Sequence, residues 1–318
     1  MARLSVIICT HNPKLDYLDR VLGALAAQTL PPAQWELLVI DNASAERLAL
    51  SGQLAWHPRA RLVREDTLGL TPARLRGIAE SDGDILVYVD DDNVLAPDYL
   101  RTVIGLFETH PFLGTIGPGL LEPEFAVKPQ PHFEPYLASL ALRSSRQALW
   151  SSNPCDRASV PWGAGLCVTR PVAQAYRQLV EQLDTDGLLD RRGQRLFGNG
   201  DVAFSWAAAQ LGKGFGVFPQ LRATHLIRAE RLTPSYLLRL AKDSTFSNTV
   251  TNYLVLGIAP RSASQRWSDV LMLLLRALRR GPFALRLGWA SIRGADQARD
   301  LIARRRLRPL FAGPVEWN

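Results

Sequence analysis

Cysteine is scarce in this chain, with Cys9, Cys155 and Cys167 the only three in 318 residues. So few, so widely spaced and odd in number, they make neither a disulfide framework nor the paired spacing of a zinc site. They are expected to be buried thiols in a reducing compartment. Long apolar runs are missing as well. No stretch approaches the roughly 20 apolar residues that a membrane-spanning helix requires. The N-terminus lacks the charged, apolar and cleavable order of a secretory signal, since Leu4 to Cys9 is only strand-sized. These absences lead to the expectation of a cytoplasmic protein. Acidic residues thin out near the C-terminal end. Between Arg276 and Arg308, ten arginines stand against Asp296 and Asp300, a local net of +8, whereas the whole chain is +7, so the rest sums to about −1. The bulk is near neutral and carries a cationic tail.

What is present is organised around Val87-Tyr88-Val89-Asp90-Asp91-Asp92-Asn93. The unbroken apolar run Ile85 to Val89 follows the turn signal Ser81-Asp82-Gly83-Asp84 and reads as a strand buried on both faces. Three consecutive carboxylates at its end belong at the open carboxyl edge of a sheet, where α/β proteins place ligands. Adjacent carboxylates repel, and a hard divalent cation between them relieves the repulsion. The alternative is a solvated acidic turn.

Other segments repeat the pattern. Leu4 to Cys9 is a strand ending in Thr10-His11-Asn12-Pro13, and Leu15, Leu18, Val21, Leu22 and Leu25 recur at helical spacing until Pro31-Pro32. Trp35 to Ile40 is a second strand running into Asp41-Asn42-Ala43-Ser44. The short piece Arg61-Leu62-Val63 and a helix over Pro72 to Ile78 come before the carboxylate strand. Strands alternating with helices, each strand ending in polar residues, describe a parallel doubly wound sheet.

In order and spacing, Ser5-Val6-Ile7-Ile8-Cys9-Thr10-His11-Asn12, Val39-Ile40-Asp41-Asn42-Ala43-Ser44, Ala73-Arg74 before Gly77, and Val89-Asp90-Asp91-Asp92-Asn93 resemble the family 2 glycosyltransferases. The resemblance covers about residues 3 to 228. It implies an α/β protein of the GT-A fold, a Rossmann-like, mostly parallel sheet flanked by helices, working on nucleotide-sugar donors. It places the glycosyltransferase domain at 1–230 and leaves 231–318 as a C-terminal helical, basic extension. It also implies that Asp41 reads the uracil of a UDP-linked donor, and that Thr10, His11 and Asn12 border the nucleotide. Arg74 would then serve the base or the diphosphate, with an exposed helix arginine as the alternative. His11 has a local hydrogen-bonding role as its alternative. Asp92 would hold Mn²⁺ or Mg²⁺ with His225, while Asp90 or Asp91 shares the metal or bonds the ribose; His225 could instead be structural.

Downstream, Val160 to Arg170 contains Trp162, Gly163, Ala164 and Gly165. Two glycines there let the backbone approach a ligand, and the resemblance puts this stretch beside the donor sugar and the acceptor; a Gly-rich strand entry is the plain alternative. Asp201 follows Gly198-Asn199-Gly200 at the start of a helix through Leu211. The family carries its general base here, usually as a Glu-Asp pair, but Gly200 replaces the first acid. The alternative role for Asp201 is to cap the helix. Between Leu113 and Trp162 the prolines exclude long helices before Tyr136, and Trp150 to Pro154 is expected as an exposed loop.

From Thr233-Pro234, a cap followed by proline at the first helical position, a helix is expected to about Leu256. A second follows from Ser264 with the apolar stripe Trp267, Val270, Leu271, Leu274, Leu275 and Leu278, then Arg276, Arg279 and Arg280. Gln265-Arg266-Trp267 lacks the two residues that separate Gln and Arg in processive polysaccharide synthases, so a non-processive enzyme is expected.

The whole reads as an inverting, non-processive transferase in cell-surface polysaccharide or cell-wall synthesis, taking a UDP-sugar to a glycan or lipid-linked acceptor. The alternatives are a sugar-1-phosphate nucleotidyltransferase and a non-catalytic scaffold of the same fold. Apolar stripe plus arginine clusters suit a helix lying peripherally on an anionic membrane surface, here the inner face of the cell membrane. Packing on the catalytic domain or a homodimer is the other use of the stripe, and nucleic acid is not an expected partner.

Overall fold

The computed structural model describes residues 3–183, 198–262, 265, 270, 273 and 281–309. The chain divides into two compact units, one of residues 1–184 and 200–229, the other of residues 185–199 and 230–318.

The first unit is built on one sheet. Strands β1 (Leu4–Thr10), β2 (Trp35–Asn42), β3 (Ala60–Glu65) and β4 (Ile85–Asp90) pair in parallel in the order β3-β2-β1-β4. The sheet continues through β9 (Cys167–Thr169), β6 (Leu113–Phe125), β10 (Gly214–Ile227) and β5 (Asn93–Leu95), with β7 (Arg143–Ser144) on β6 and β8 (Leu149–Ser151) on β10. β6 and β10 are also parallel; the antiparallel pairs all involve the short β5, β7, β8 and β9. This is the expected α/β architecture with a mostly parallel sheet.

The two-residue period of β1 divides the core. Leu4, Val6 and Ile8 join one apolar cluster with Leu18, Val21, Leu22 and Leu25 of helix α1 (Leu15–Ala26) and with Leu100 and Val103 of α4 (Tyr99–Thr109). Burying such side chains stabilises by roughly 1.5–3 kcal/mol each. Ile7 points to the other face, against α3 (Leu70–Glu80), where a Cβ on Gly77 would lie 2.7 Å from Ile7 Cγ2. A short helix α2 (Ser51–Leu54), with α5 (Arg170–Leu183) and α6 (Val202–Gln210), completes the unit. Tyr176 of α5 stacks on Phe204 of α6 at 3.7 Å between centroids.

Two expectations need correction. Trp150 is not in a loop: β8 pairs antiparallel with β10, Trp150 opposite Gly216, and the indole packs against Phe112 at 4.9 Å. A three-residue strand is too short to show a period. Strand β10 is interrupted by a register shift between Phe218 and Arg222. Pro219, which has no N–H to give to a ladder, sits at that irregularity. Cys155 is exposed rather than buried; Cys9 is partly buried and Cys167 fully so.

In the second unit, α7 (Pro234–Leu256) starts where Thr233 Oγ1 accepts the Tyr236 N–H at 3.3 Å, and it ends at Gly257 in the left-handed region. It packs against α8 (Pro282–Arg305) at close range, since a Cβ on Gly294 would lie 2.1 Å from the Lys242 carbonyl oxygen. Asn199 Nδ2 donates to Asn248 Oδ1 at 3.1 Å and to Thr251 Oγ1 at 2.7 Å. The stripe at Trp267, Leu271, Leu274, Leu275 and Leu278, with Arg276, Arg279 and Arg280, lies outside the described residues. Among the described residues no helix is long and apolar enough to cross a membrane.

Candidate active site

Strand register assembles the site. β1 pairs with β2 so that Thr10 lies opposite Asp41, and with β4 so that Cys9 lies opposite Asp90. The order β2-β1-β4 puts a crevice where the chain leaves β1 and β4 in opposite directions, the place where such sheets bind ligands. Thr10, Asp41 and the three carboxylates thus share one edge.

Thr10 Oγ1 donates to Asp91 Oδ2 at 2.5 Å. Burial, then the charge of Asp92, pushes the Asp91 carboxyl up to about 6, against the pull of the Thr10 bond and of Arg228. Asp92 is itself buried. Its Oδ1 accepts from Asn93 Nδ2 at 2.8 Å, and its Oδ2 stands 3.6 Å from His225 Nε2. That meeting is again a matter of register. β5 leaves the carboxylates and pairs with β10, Asn93 opposite His225, while the Leu226 N–H donates to the Asp92 carbonyl at 2.8 Å. Asp90 accepts from Asn93 Nδ2 at 3.3 Å.

His11 acts locally. Its Nδ1 lies 2.7 Å from the Asn42 carbonyl oxygen, which only an N–H there can satisfy, leaving Nε2 to accept from Asn12 Nδ2 at 2.9 Å. Asn12 in turn receives the Ala45 N–H on Oδ1 at 2.9 Å and gives its own N–H to Ser44 Oγ at 2.9 Å. The Thr10–Asn12 turn therefore braces the turn after β2. Asp41 is level with Thr10, but its carboxylate is turned onto the protein: Arg64 Nη1 donates to it at 2.7 Å, with the Ser44 and Leu48 N–H groups at 3.3 and 3.4 Å. Burial pushes its carboxyl up, and these bonds outweigh burial and hold it below the usual range.

A second group of side chains surrounds Asp201. The carboxylate does cap α6, Oδ1 accepting from the Val202 N–H at 2.8 Å, and Oδ2 accepts from the Gly163 N–H at 2.8 Å. Capping and a chemical role are therefore compatible. Arg74 is buried, at 3% exposure, which removes the exposed-helix alternative. Its Nη2 lies 2.9 Å from where a Cβ on Gly163 would be, and Asp201 Oδ2 lies 3.7 Å from the same point. Gly163 thus lies against both, and a side chain there would press on the end of Arg74. Gly165 has φ +75° and its carbonyl accepts from Tyr99 Oη at 2.6 Å; Ala164 is buried beneath. Trp162 carries the guanidinium of Arg143 3.9 Å above its ring.

Arg143, Arg157 and Arg228 were not anticipated. Burial pulls Arg143 down to about 10, opposed by the charge of Asp201. Arg157 is also within reach of that charge, and Arg228 acts on Asp91. Each lies in a segment without periodicity or motif, so residue type was the only signal available.

Among the described residues no three His, Cys, Asp or Glu side chains are grouped to hold a metal unaided. Asp92 with His225 nevertheless offers one hard oxygen and one imidazole nitrogen, a donor set suited to Mn²⁺, and Mg²⁺ sites commonly use one or two carboxylates completed by substrate phosphates. Burial is the larger cause of the rise at Asp91, and the charge of Asp92 behind the rest is a repulsion that such a cation would relieve. The residues fit a shared site finished by a phosphorylated ligand.

Residues 5–144 match the family model described as glycosyl transferase family 2. Among curated proteins, the glycosyltransferase AglE of Haloferax volcanii is 33% identical over 92 residues, which cover 28% of this chain and 30% of that one. The poly(ribitol-phosphate) β-N-acetylglucosaminyltransferase TarS of Staphylococcus aureus is 24% identical over 113 residues, covering 35% of this chain and 20% of that one. The aligned stretches span well under half of these relatives. The solved structure of S. aureus TarS 1–349 in complex with UDP-GlcNAc superposes with a TM-score of 0.48 at 14% identity, covering 99% of this chain and 95% of that one. The strands and turns that carry Thr10, Asp41, Arg74 and Asp90 to Asp92 all fall inside the stretch that matches the glycosyl transferase family 2 model.

Proposed function

We propose that the protein is an inverting, non-processive glycosyltransferase that moves a sugar from a nucleotide-sugar donor, UDP-linked by preference, to an acceptor hydroxyl in cell-surface glycan synthesis. The observation that carries this reading is Asp201. Its carboxylate is fixed at both oxygens, by the end of α6 and by the Gly163 N–H, against a stretch that also touches Arg74. A carboxylate oriented this way can take the proton of an acceptor hydroxyl as it attacks the anomeric carbon from the far face. The configuration then inverts in one step without a covalent intermediate. Thr10, Asn12, Asp41 and Arg74 would frame the nucleotide, Arg64 keeping Asp41 ionised. Asp90 or Asp91 would bond the ribose. Asp92 and His225 would hold Mn²⁺ or Mg²⁺, whose charge, when bound, stabilises the departing diphosphate. Trp162 to Gly165 would border the donor sugar and the acceptor.

The donor is found by a thermal-shift panel of UDP-, GDP- and dTDP-sugars with Mn²⁺, where a ligand at a hundred times its Kd stabilises by about 2.7 kcal/mol. Asp201→Asn then tests the mechanism. Donor affinity by calorimetry should stay within about twofold, and transfer should fall by roughly 10²–10⁴-fold, the range general-base catalysis contributes. Transfer at the parental rate would place the base elsewhere.

The basic second unit suits peripheral contact with an anionic membrane, where each arginine contributes roughly 1 kcal/mol. Arg304 and Arg305 lie in the last turn of α8, followed by Arg306 and Arg308.

A further inference from the structure

Asn93 follows the three carboxylates directly, as the first residue of β5, and it is completely buried, at 0% exposure. Its amide nitrogen meets two acids. Nδ2 donates to Asp92 Oδ1 at 2.8 Å and to Asp90 Oδ2 at 3.3 Å. Its amide oxygen, Oδ1, is buried with no hydrogen-bond partner among the described residues. An amide in these surroundings has one orientation only. Turned over, it would set its carbonyl oxygen against two carboxylates, so the acids dictate the orientation and the orphaned oxygen is the consequence. A buried acceptor without a donor destabilises a fold, and a leucine of similar size would avoid it. Stability alone therefore gives no reason for an asparagine here. Its two acidic neighbours do.

The backbone fixes where that amide stands. Asn93 lies opposite His225 in the pairing of β5 with β10, and the Leu226 N–H on the same strand donates to the Asp92 carbonyl at 2.8 Å. Asp92 Oδ1 is the oxygen bonded to Asn93, and Asp92 Oδ2 is the one 3.6 Å from His225 Nε2. The amide thus sets which oxygen of Asp92 is offered beside the imidazole. It also places N–H donors between two carboxylates whose charges repel.

We propose that Asn93 is the positioning residue of the divalent-cation site, its amide holding Asp90 and Asp92 in the arrangement that receives the metal ahead of metal binding. This rests on the reading of Asp92 and His225 as metal ligands. Asn93 is bonded to a ligand rather than to the ion, and removing a partner of that kind lowers metal affinity by roughly 10–100-fold.

Calorimetry of the full chain with Mn²⁺ tests the role, with UDP in fixed excess and the heat of Mn²⁺ into UDP alone subtracted. Uridine titrations and melting temperatures are measured beside it without metal. Asn93→Leu keeps the size of the side chain and removes both the donor and the orphaned oxygen. Its melting temperature should equal or exceed the parental one, uridine should bind within about twofold, and Mn²⁺ should bind at least about tenfold more weakly. Loss of a merely structural residue would instead lower the melting temperature and weaken every ligand together. If Asn93→Leu fails to fold, Asn93→Val, β-branched and suited to a strand, is read by the same tenfold mark. A smaller loss of Mn²⁺ affinity in the folded variant would overturn the proposal, and so would uridine affinity falling in step. Failure of both variants to fold would make Asn93 a structural residue and overturn it as well. A parental protein that gives no heat with Mn²⁺ or Mg²⁺ in the presence of UDP would sink the metal reading itself, and with it any role of Asn93 toward the ion.

Discussion

At the scale of single residues, the site depends on side chains that are missing as much as on those present. Gly163 offers its N–H to Asp201 and its bare Cα to Arg74. An added methyl would meet Arg74 Nη2 at 2.9 Å, and the far end of that long side chain can yield. Gly163→Ala should therefore leave the melting temperature within a few degrees and lower kcat tenfold or more, because Arg74 is pushed off its position; an unchanged kcat would mean that this contact is idle. Gly165→Ala differs, because it combines φ +75° with a Cβ only 2.6 Å from Tyr99 Oη. Its expected cost is stability, about 1–3 kcal/mol in urea unfolding. Asp92→Asn should abolish the Mn²⁺ heat in calorimetry while uridine still binds; an undiminished titration would remove Asp92 as a ligand. The carboxylates and glycines of this site were legible because few other residue types can do what they do. Arg143 and Arg228 were not, since an arginine in an aperiodic segment looks the same whether it is solvated or held over a tryptophan.

Among elements, those long enough to show their period were legible. β1, β2 and β4 were each read within a residue or two of their ends, and the Thr233-Pro234 start of α7 was read to the residue. β7, β8 and β9, of two or three residues, carry no period and take their conformation from the longer neighbours they pair with. The buried polar cluster at the lower end of the sheet was also hidden. Glu36 of β2 accepts from Ser5 Oγ at 2.6 Å and from the Asp82 N–H at 2.7 Å, with Arg61 at 3.4 Å, and so ties β1, β2 and the entry to β4 together. Glu36→Ala strands these donors and should cost about 2–4 kcal/mol; a loss under 1 kcal/mol would show that the three are held without it. In the second unit, Gly294→Ala sets a methyl against the Lys242 carbonyl, a backbone atom that cannot swing aside. Separation of α7 from α8 should appear as new amide exchange in both helices, and unaltered protection would refute the close packing.

For the molecule as a whole, the sequence divides its charge between a near-neutral bulk and a cationic C-terminal end. Full-length protein should float with anionic vesicles at low salt. Replacing Arg304, Arg305, Arg306 and Arg308 by Gln should return it to the soluble fraction, whereas equal flotation of both would assign the arginines to solvent. Acid sensitivity follows from the carboxyls of Glu36 and Asp41. Burial pushes both up, but hydrogen bonds, with Arg59, Arg61 and Arg64 beside them, outweigh it and hold both below the usual range. The unfolded chain therefore binds protons more readily than the folded one. The stability these groups lend is complete above the unfolded carboxylate range, about pH 5, and is lost as pH falls through their folded values. Urea midpoints should drop on acidification, and less steeply in Glu36→Gln. One feature of the sheet governs how such a molecule can change over time. Asp92 and His225 meet because three residues of β5 lie in step with three of β10. Slipping that pairing by one residue would turn the side chains of β5 to the opposite face. Single-residue insertions or deletions between Asp90 and Leu95, or between Ala223 and His225, should then be lethal to function even where every individual substitution is survivable. The pair of short strands acts as a vernier that lineages can decorate but not recalibrate.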